Sequence, residues 1–135
     1  MKNLNLDQIR AQNALDAVPK YEFTGKEKGE VVKKVPPMIK QNGLLGVLAF
    51  AIDDKKGYAD VMKASIIHLE SKDLYPEIRN ALANSTPANI LEKFTRYLCS
   101  KDAAYLRALT EEVLAFLNFL RRYVDNVEKW QGEQK

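Results

Sequence analysis

Cysteine, histidine and tryptophan each occur once in the 135 residues, as Cys99, His68 and Trp130. A lone cysteine cannot close an internal disulfide, and no cysteine pattern suits a zinc site, so the expected compartment is a reducing cytosol. A single imidazole excludes histidine pairs and the repeated Glu-x-x-His motifs of di-iron bundles. Long apolar runs are also missing. The longest, Leu44 to Ile52 with Gly46 counted in, has nine residues, against about 20 for a bilayer span. Met1-Lys2-Asn3-Leu4-Asn5 carries no apolar signal core. Charge of one sign is scarce too: 21 Lys+Arg against 18 Asp+Glu leave +3. A chain of this length normally folds as one domain, here 1–135, and buries roughly two-thirds of its unfolded surface without a metal or disulfide staple. These absences predict a soluble, mildly basic, cytoplasmic protein with no membrane association, and they leave its function open.

What is present reads as helix almost throughout. Asn5 or Asp7 can cap a first helix with Leu6, Ile9, Ala14, Leu15 and Val18 on or near one face. Pro19 stops it. Residues 20–29 are charged, hold Gly25 and Gly29, and read as a solvated, mobile loop. A second segment runs from near Glu30 into Pro36-Pro37, where a kink or break is expected, and on to Asn42-Gly43, a strong stop. Leu44 to Ile52 reads as a short helix buried all round. Further helices carry Val61 to Leu69 and Ile78 to Leu82. Asn84-Ser85-Thr86-Pro87 signals another start, ahead of Ile90, Leu91, Phe94, Tyr97 and Leu98. From about Asp102 to Trp130, Leu106, Leu109, Val113, Phe116, Leu120, Tyr123, Val127 and Trp130 recur at spacings of 3, 4, 3, 4, 3, 4 and 3. Leu117 and Val124 widen that stripe into a bundle face. Residues 131–135 read as a frayed tail. The expected fold is all-α: a compact single-domain helical bundle with a long C-terminal helix.

Catalytic parts are sparse. His68, Glu70 and Asp73 could be drawn as a metal site, but the i, i+2 spacing puts His68 and Glu70 on different sides of a helix. A partly buried or surface histidine is the better reading. Cys99 has no histidine nearby in sequence and reads as an inert core or half-buried thiol. Gly43-Leu44-Leu45-Gly46 lacks the lysine and the strand–loop–helix setting of a phosphate loop. Asp53-Asp54 and Glu111-Glu112 read as turn or solvated-face acids. No catalytic constellation, cofactor or metal is expected.

Charge distribution says more than the total. Residues 1–65 contain 11 Lys+Arg and 8 Asp+Glu, whereas residues 66–135 contain ten of each. Lys33, Lys34 and Lys40 stand in a stretch with no acid between Val31 and Ile52, and Arg121-Arg122 flank the apolar stripe beside Phe119 and Tyr123. Such side chains can hold phosphates, as point charges for lysine and as a fork for arginine. An ordinary solvated face is the competing reading, because +3 is modest. Tyr97, Tyr105 and Tyr123 could stack on bases, although tyrosines at helical spacing usually serve core or interface.

Three stretches resemble the small all-helical subunit of type III-B CRISPR–Cas effectors, the Cmr complexes. They are Leu6-Asp7-Gln8-Ile9-Arg10-Ala11 with Ala14 and Val18; Val32 to Leu44 followed by Leu48-Ala49-Phe50; and Leu109 to Tyr123, which contains Phe119-Leu120-Arg121-Arg122. They span most of the chain in the expected order and leave Asp53 to Ser100 without a motif. Pro37 adds a second proline where one is usual, and Phe119 stands where the family often has tryptophan.

The resemblance implies a non-catalytic subunit in antiviral defence. It would stack in several copies along the effector backbone, beside other Cmr subunits and further copies of itself, against guide and target single-stranded RNA. It further implies that Lys33, Lys34, Lys40, Arg121 and Arg122 contact target phosphates, with Arg10 either joining them or tying helices together. The main alternative is a generic helical protein–protein interaction module without RNA contact. A helix-turn-helix reading lacks a recognition helix with clustered Arg, Asn or Gln near its start.

Overall fold

The computed structural model describes residues 5–21, 23, 26–53 and 57–133, with the side chains of 26–28 and 127–133 outside that description. Six helices follow in order: α1 (Leu6–Lys20), α2 (Lys26–Asp53), α3 (Tyr58–Leu69), α4 (Glu77–Ala81), α5 (Ile90–Cys99) and α6 (Ala103–Glu133). Among the described residues there is no strand. The fold is all-α and compact, with the long C-terminal helix expected from the apolar stripe. Helix α6 is the spine on which α1, α2 and α3 pack, and α5 closes against α2 and α3. Buried residues from every helix form one apolar cluster, centred on Val32, Val35, Leu48, Ile66, Phe94, Phe116 and Leu120.

Side-chain caps mark the starts of α1 and α6. Asn5 caps α1 through a reciprocal box: its Oδ1 accepts from Gln8 N, and Gln8 Oε1 accepts from Asn5 N, both at 2.9 Å. At the head of α6, Asp102 Oδ1 accepts from Tyr105 N at 2.9 Å. On α6 itself Leu109, Val113, Phe116, Leu117, Leu120 and Val124 are buried, as their periodicity predicts. On α1 the buried residues are Ile9, Ala14, Ala17 and Val18, while Leu6 and Leu15 are exposed. Helix α5 begins three residues beyond the Ser-Thr-Pro signal. Residues 86–89 form a turn in which Thr86 N donates to Asn89 Oδ1 at 2.8 Å, and the first regular residue is Ile90.

Helix α2 departs most from its sequence. No break occurs at Pro36-Pro37; helical geometry continues through both prolines and interrupts only at Gly43 (φ 76°, ψ 164°). Each proline removes an amide donor, at about 3 kcal/mol in a helix interior. Against that, Val31, Val32, Val35 and Ile39 are buried on one face, each contributing about 1.5–3 kcal/mol. Packing wins over local preference. The helix beyond Gly43 is not buried all round. Leu44, Val47, Leu48 and Ala51 face the core, whereas Phe50 and Ile52 are 48% and 45% exposed.

By length and composition Gly29–Asp53 could cross a membrane. In this fold 33% of its apolar window is buried, on the face that carries Val32, Val35, Val47, Leu48 and Ala51.

Two expectations at the ends of helices need correction. The loop predicted over 20–29 is shorter, since Lys20 still belongs to α1 and α2 begins at Lys26. Its Phe23 is buried and its ring lies 5.6 Å from that of Tyr21, so an aromatic residue anchors the connection. Glu22, Thr24 and Gly25 lie outside the described residues, and with them the expected mobility. In the predicted frayed tail, Gln131 to Glu133 continue α6; Gln134 and Lys135 lie outside the described residues.

Gly43 combines positive φ with extended ψ, a region costing a residue with a Cβ about 1–3 kcal/mol. An added Cβ would meet nothing within 4 Å, so backbone strain is the whole penalty. Gly43→Ala should lower the unfolding free energy by that amount, seen as a lower urea midpoint with an unchanged slope; an unchanged midpoint would mean the turn relaxes.

Candidate nucleic-acid interface and the buried Glu112 clasp

The sequence-predicted basic residues divide between two places. Lys33, Lys34, Lys40, Arg121 and Arg122 are all exposed. Lys33 on α2 reaches α6, its Nζ 3.2 Å from Asp125 Oδ1. Asp125 follows Arg121 by four residues and Arg122 by three, so helical geometry sets all three on neighbouring turns. The ion pair therefore brings Lys33 beside the double arginine. Lys40 follows Lys33 by seven residues, two turns or about 10 Å along the same side of α2. Lys34 stands about 100° further round, on the rim of an open groove of about 430 Å³ lined also by Glu30, Lys33, Pro37, Met38 and Tyr58.

Arg10 lies elsewhere. Its Nε and Nη2 each donate to the Glu112 carboxylate at 2.8 Å, and Nη1 donates to Asp7 Oδ1 at 3.0 Å. The bidentate fork ties α1 to α6 with the geometry that makes arginine–carboxylate pairs strong. Glu112 Oε2 also meets His68 Nε2 at 2.9 Å, and His68 Nδ1 meets Asn13 Nδ2 at 2.9 Å. The imidazole stacks on Phe116, with ring centroids 4.4 Å apart and planes 13° from parallel. Glu112 and Phe116 are one turn apart on α6, so this helix grips the edge and the face of the ring together. With Asn13 donating to Nδ1 and Nε2–H donating to Glu112, a neutral His68 has both nitrogens satisfied.

This clasp corrects two sequence expectations. Glu112 is no solvated-face acid but a buried one, although Glu111 beside it is exposed. His68, expected to be partly buried or on the surface, is 1% exposed. Both signals were present in the spacing. Glu112 falls between Leu109, Val113 and Phe116 on the buried stripe, and His68 follows Val61 and Ser65 on the buried face of α3. A polar residue inside an apolar stripe needs a partner, but the partner lies 44 residues away. Burial alone would raise the Glu112 carboxyl. The hydrogen bonds and charge of Arg10, helped by His68, overcome it and hold the group down at about 2. The same contacts push Arg10 upward despite its own desolvation.

Cys99 is exposed, contrary to the core or half-buried reading. Tyr97 and Tyr105 are partly buried, their hydroxyls 2.7 Å apart and Lys101 Nζ 4.9 Å from the Tyr97 ring centroid. They join α5 to α6. Among the described residues no group of three His, Cys, Asp or Glu side chains converges on a metal-sized site.

The fold and surface define a small all-helical protein with a locked three-helix centre and a separate basic face. The chain belongs to the CRISPR-associated protein (Cas_Cmr5) family, whose model matches residues 6–127. That span runs from the first residue of α1 to the last turns of α6 and includes every residue of the clasp and of the basic face. It agrees with the resemblance carried by the three sequence stretches, and it makes the chain a CRISPR-associated Cmr subunit. Comparison with curated proteins and with solved structures returned no match.

The clasp has a pH signature. The Glu112 carboxyl is held at about 2 in the fold against an ordinary 4.5. It therefore contributes stability that is present above about pH 4.5 and lost as pH falls through about 2, on the order of 3 kcal/mol in full. Unfolding free energies measured across that window should fall steeply for the native chain. Glu112→Gln should begin less stable at pH 7 and lack this fall; equal slopes would show that the clasp is energetically idle.

Proposed function

We propose that this protein is a non-catalytic structural subunit of a type III-B effector in the cytoplasm. It stacks in several copies beside other Cmr subunits and contacts the phosphates of target RNA. The observation that carries the proposal is the Lys33–Asp125 ion pair, because it gathers lysines of α2 and arginines of α6 into one basic face. Lys33, Lys34, Lys40, Arg121 and Arg122 are the phosphate contacts. Arg10, with three of its donors committed to Glu112 and Asp7, takes the helix-tying role of the two open to it.

The physics suits a repeated subunit. A few lysine and arginine contacts to phosphate bind weakly and without sequence preference. Several copies on one strand multiply those contacts through effective concentration. Base pairing with a guide can then supply the specificity that the protein lacks. The exposed Phe50 and Ile52 on α2 offer apolar surface for protein contacts, as stacking requires.

The isolated chain should bind single-stranded RNA weakly at low salt. Lys33→Ala/Lys34→Ala and Arg121→Ala/Arg122→Ala should each reduce affinity. Each should also flatten the salt dependence, by about 0.7 in log–log slope for every phosphate no longer neutralised. Asp125→Asn should act oppositely and raise affinity a few-fold, since it releases Lys33 and removes a negative charge from the face. Unchanged binding in both double variants, measured by fluorescence anisotropy, would remove these residues from the RNA contact.

A further inference from the structure

The groove beside Lys33 and Lys34 has a composition that phosphate binding alone does not use. Its floor is apolar, formed by Pro37, Met38 and the side of Tyr58, while the two lysines stand on its rim. Tyr58 is mostly buried and edge-on to Phe50, with ring centroids 5.0 Å apart. Met38 packs partly on the core and leaves the remainder of its side chain open. At about 430 Å³ the groove falls within the range of small-molecule sites, about 300–1,000 Å³.

We propose that this groove is a nucleotide subsite: one base of a bound single strand lies on the Pro37–Met38–Tyr58 floor while Lys33 and Lys34 hold its flanking phosphates. The proposal deepens the RNA-contact reading and rests on it. Charge selects the occupant. An apolar helix from a protein partner would fill the floor but leave the Lys34 ammonium at its margin without an anion, and Lys33 with Asp125 alone. A nucleotide offers a flat apolar face and anionic oxygens within one unit. Glu30, one turn before Lys33 and Lys34, is the single carboxylate among the lining residues. It repels phosphate from its own end and can accept from a base N–H or a ribose 2′-hydroxyl. The strand is thereby oriented, with its phosphates toward the lysine rim. Stacking on such a floor is sequence-tolerant because every base has a π-face, as a guide-directed subunit needs.

The test compares two ligands of equal length at low salt on the full chain: an oligouridylate and an abasic ribose-phosphate oligomer. Stacking of one base, at about 1–3 kcal/mol, predicts about fivefold or greater preference for the oligouridylate. Met38→Ala should reduce oligouridylate binding to the abasic level and leave abasic binding unchanged. In the native chain the Met38 methyl resonance should shift with oligouridylate and stay still with the abasic oligomer, a readout that needs no variant to fold. Equal affinities with an unmoved methyl would overturn the subsite and leave the phosphate contacts standing. Failure of both oligomers to bind would overturn the subsite together with the reading beneath it.

Discussion

The fork between Arg10 and Glu112 is the constraint on which the arrangement of α1, α3 and α6 depends. A carboxylate in the core is costly to desolvate and becomes tolerable only when its lone pairs are filled with good geometry. Arg10 fills them from α1 and His68 from α3. Apolar stripes would let these helices slide or rotate with modest loss, because hydrophobic contact is non-directional. The fork permits one register. His68, stacked on Phe116 and touching Asn13, extends the same requirement to a third helix.

The clasp also separates the protein's charges by task. Arg10 is a part-buried cation whose charge is balanced by the buried Glu112, with the exposed Asp7 nearby. The remaining candidates stand on the outside, where a surface ion pair such as Lys33–Asp125 is worth about 0–1 kcal/mol. An interaction that small can be exchanged for a phosphate without disturbing the fold. The strong pair is kept where the protein must be rigid and the weak one where it can change partner. The Arg10–Glu112 pair cancels in the net charge of +3, so the excess is left to the other residues, with Lys33, Lys34, Lys40, Arg121 and Arg122 exposed on α2 and α6.

Much of this is legible in the sequence, and the misses have identifiable causes. The α6 stripe, the Asn5 cap and the Gly43 stop follow from local rules, and the structure agrees with them. Pro36-Pro37 predicts a kink because propensity is a local quantity, whereas four buried aliphatic residues on the same face are a tertiary one. Leu44 to Ile52 reads as buried all round because composition gives apolarity but not the number of neighbours available to cover it. Glu112 reads as a solvated-face acid only when grouped with its neighbour Glu111, although one step along a helix is 100° and separates core from solvent. Its position between Leu109 and Phe116 marks it as buried. That Arg10 and His68 meet it there is not legible, since neither periodicity nor spacing encodes a contact 102 or 44 residues away.

The solitary imidazole has a practical side. His68 is the chain's only histidine, and it sits face to face with an aromatic ring at the junction of three helices. Its carbon-bound protons lie in the ring current of Phe116. The protein thus carries an intrinsic, label-free reporter of whether α1, α3 and α6 are docked.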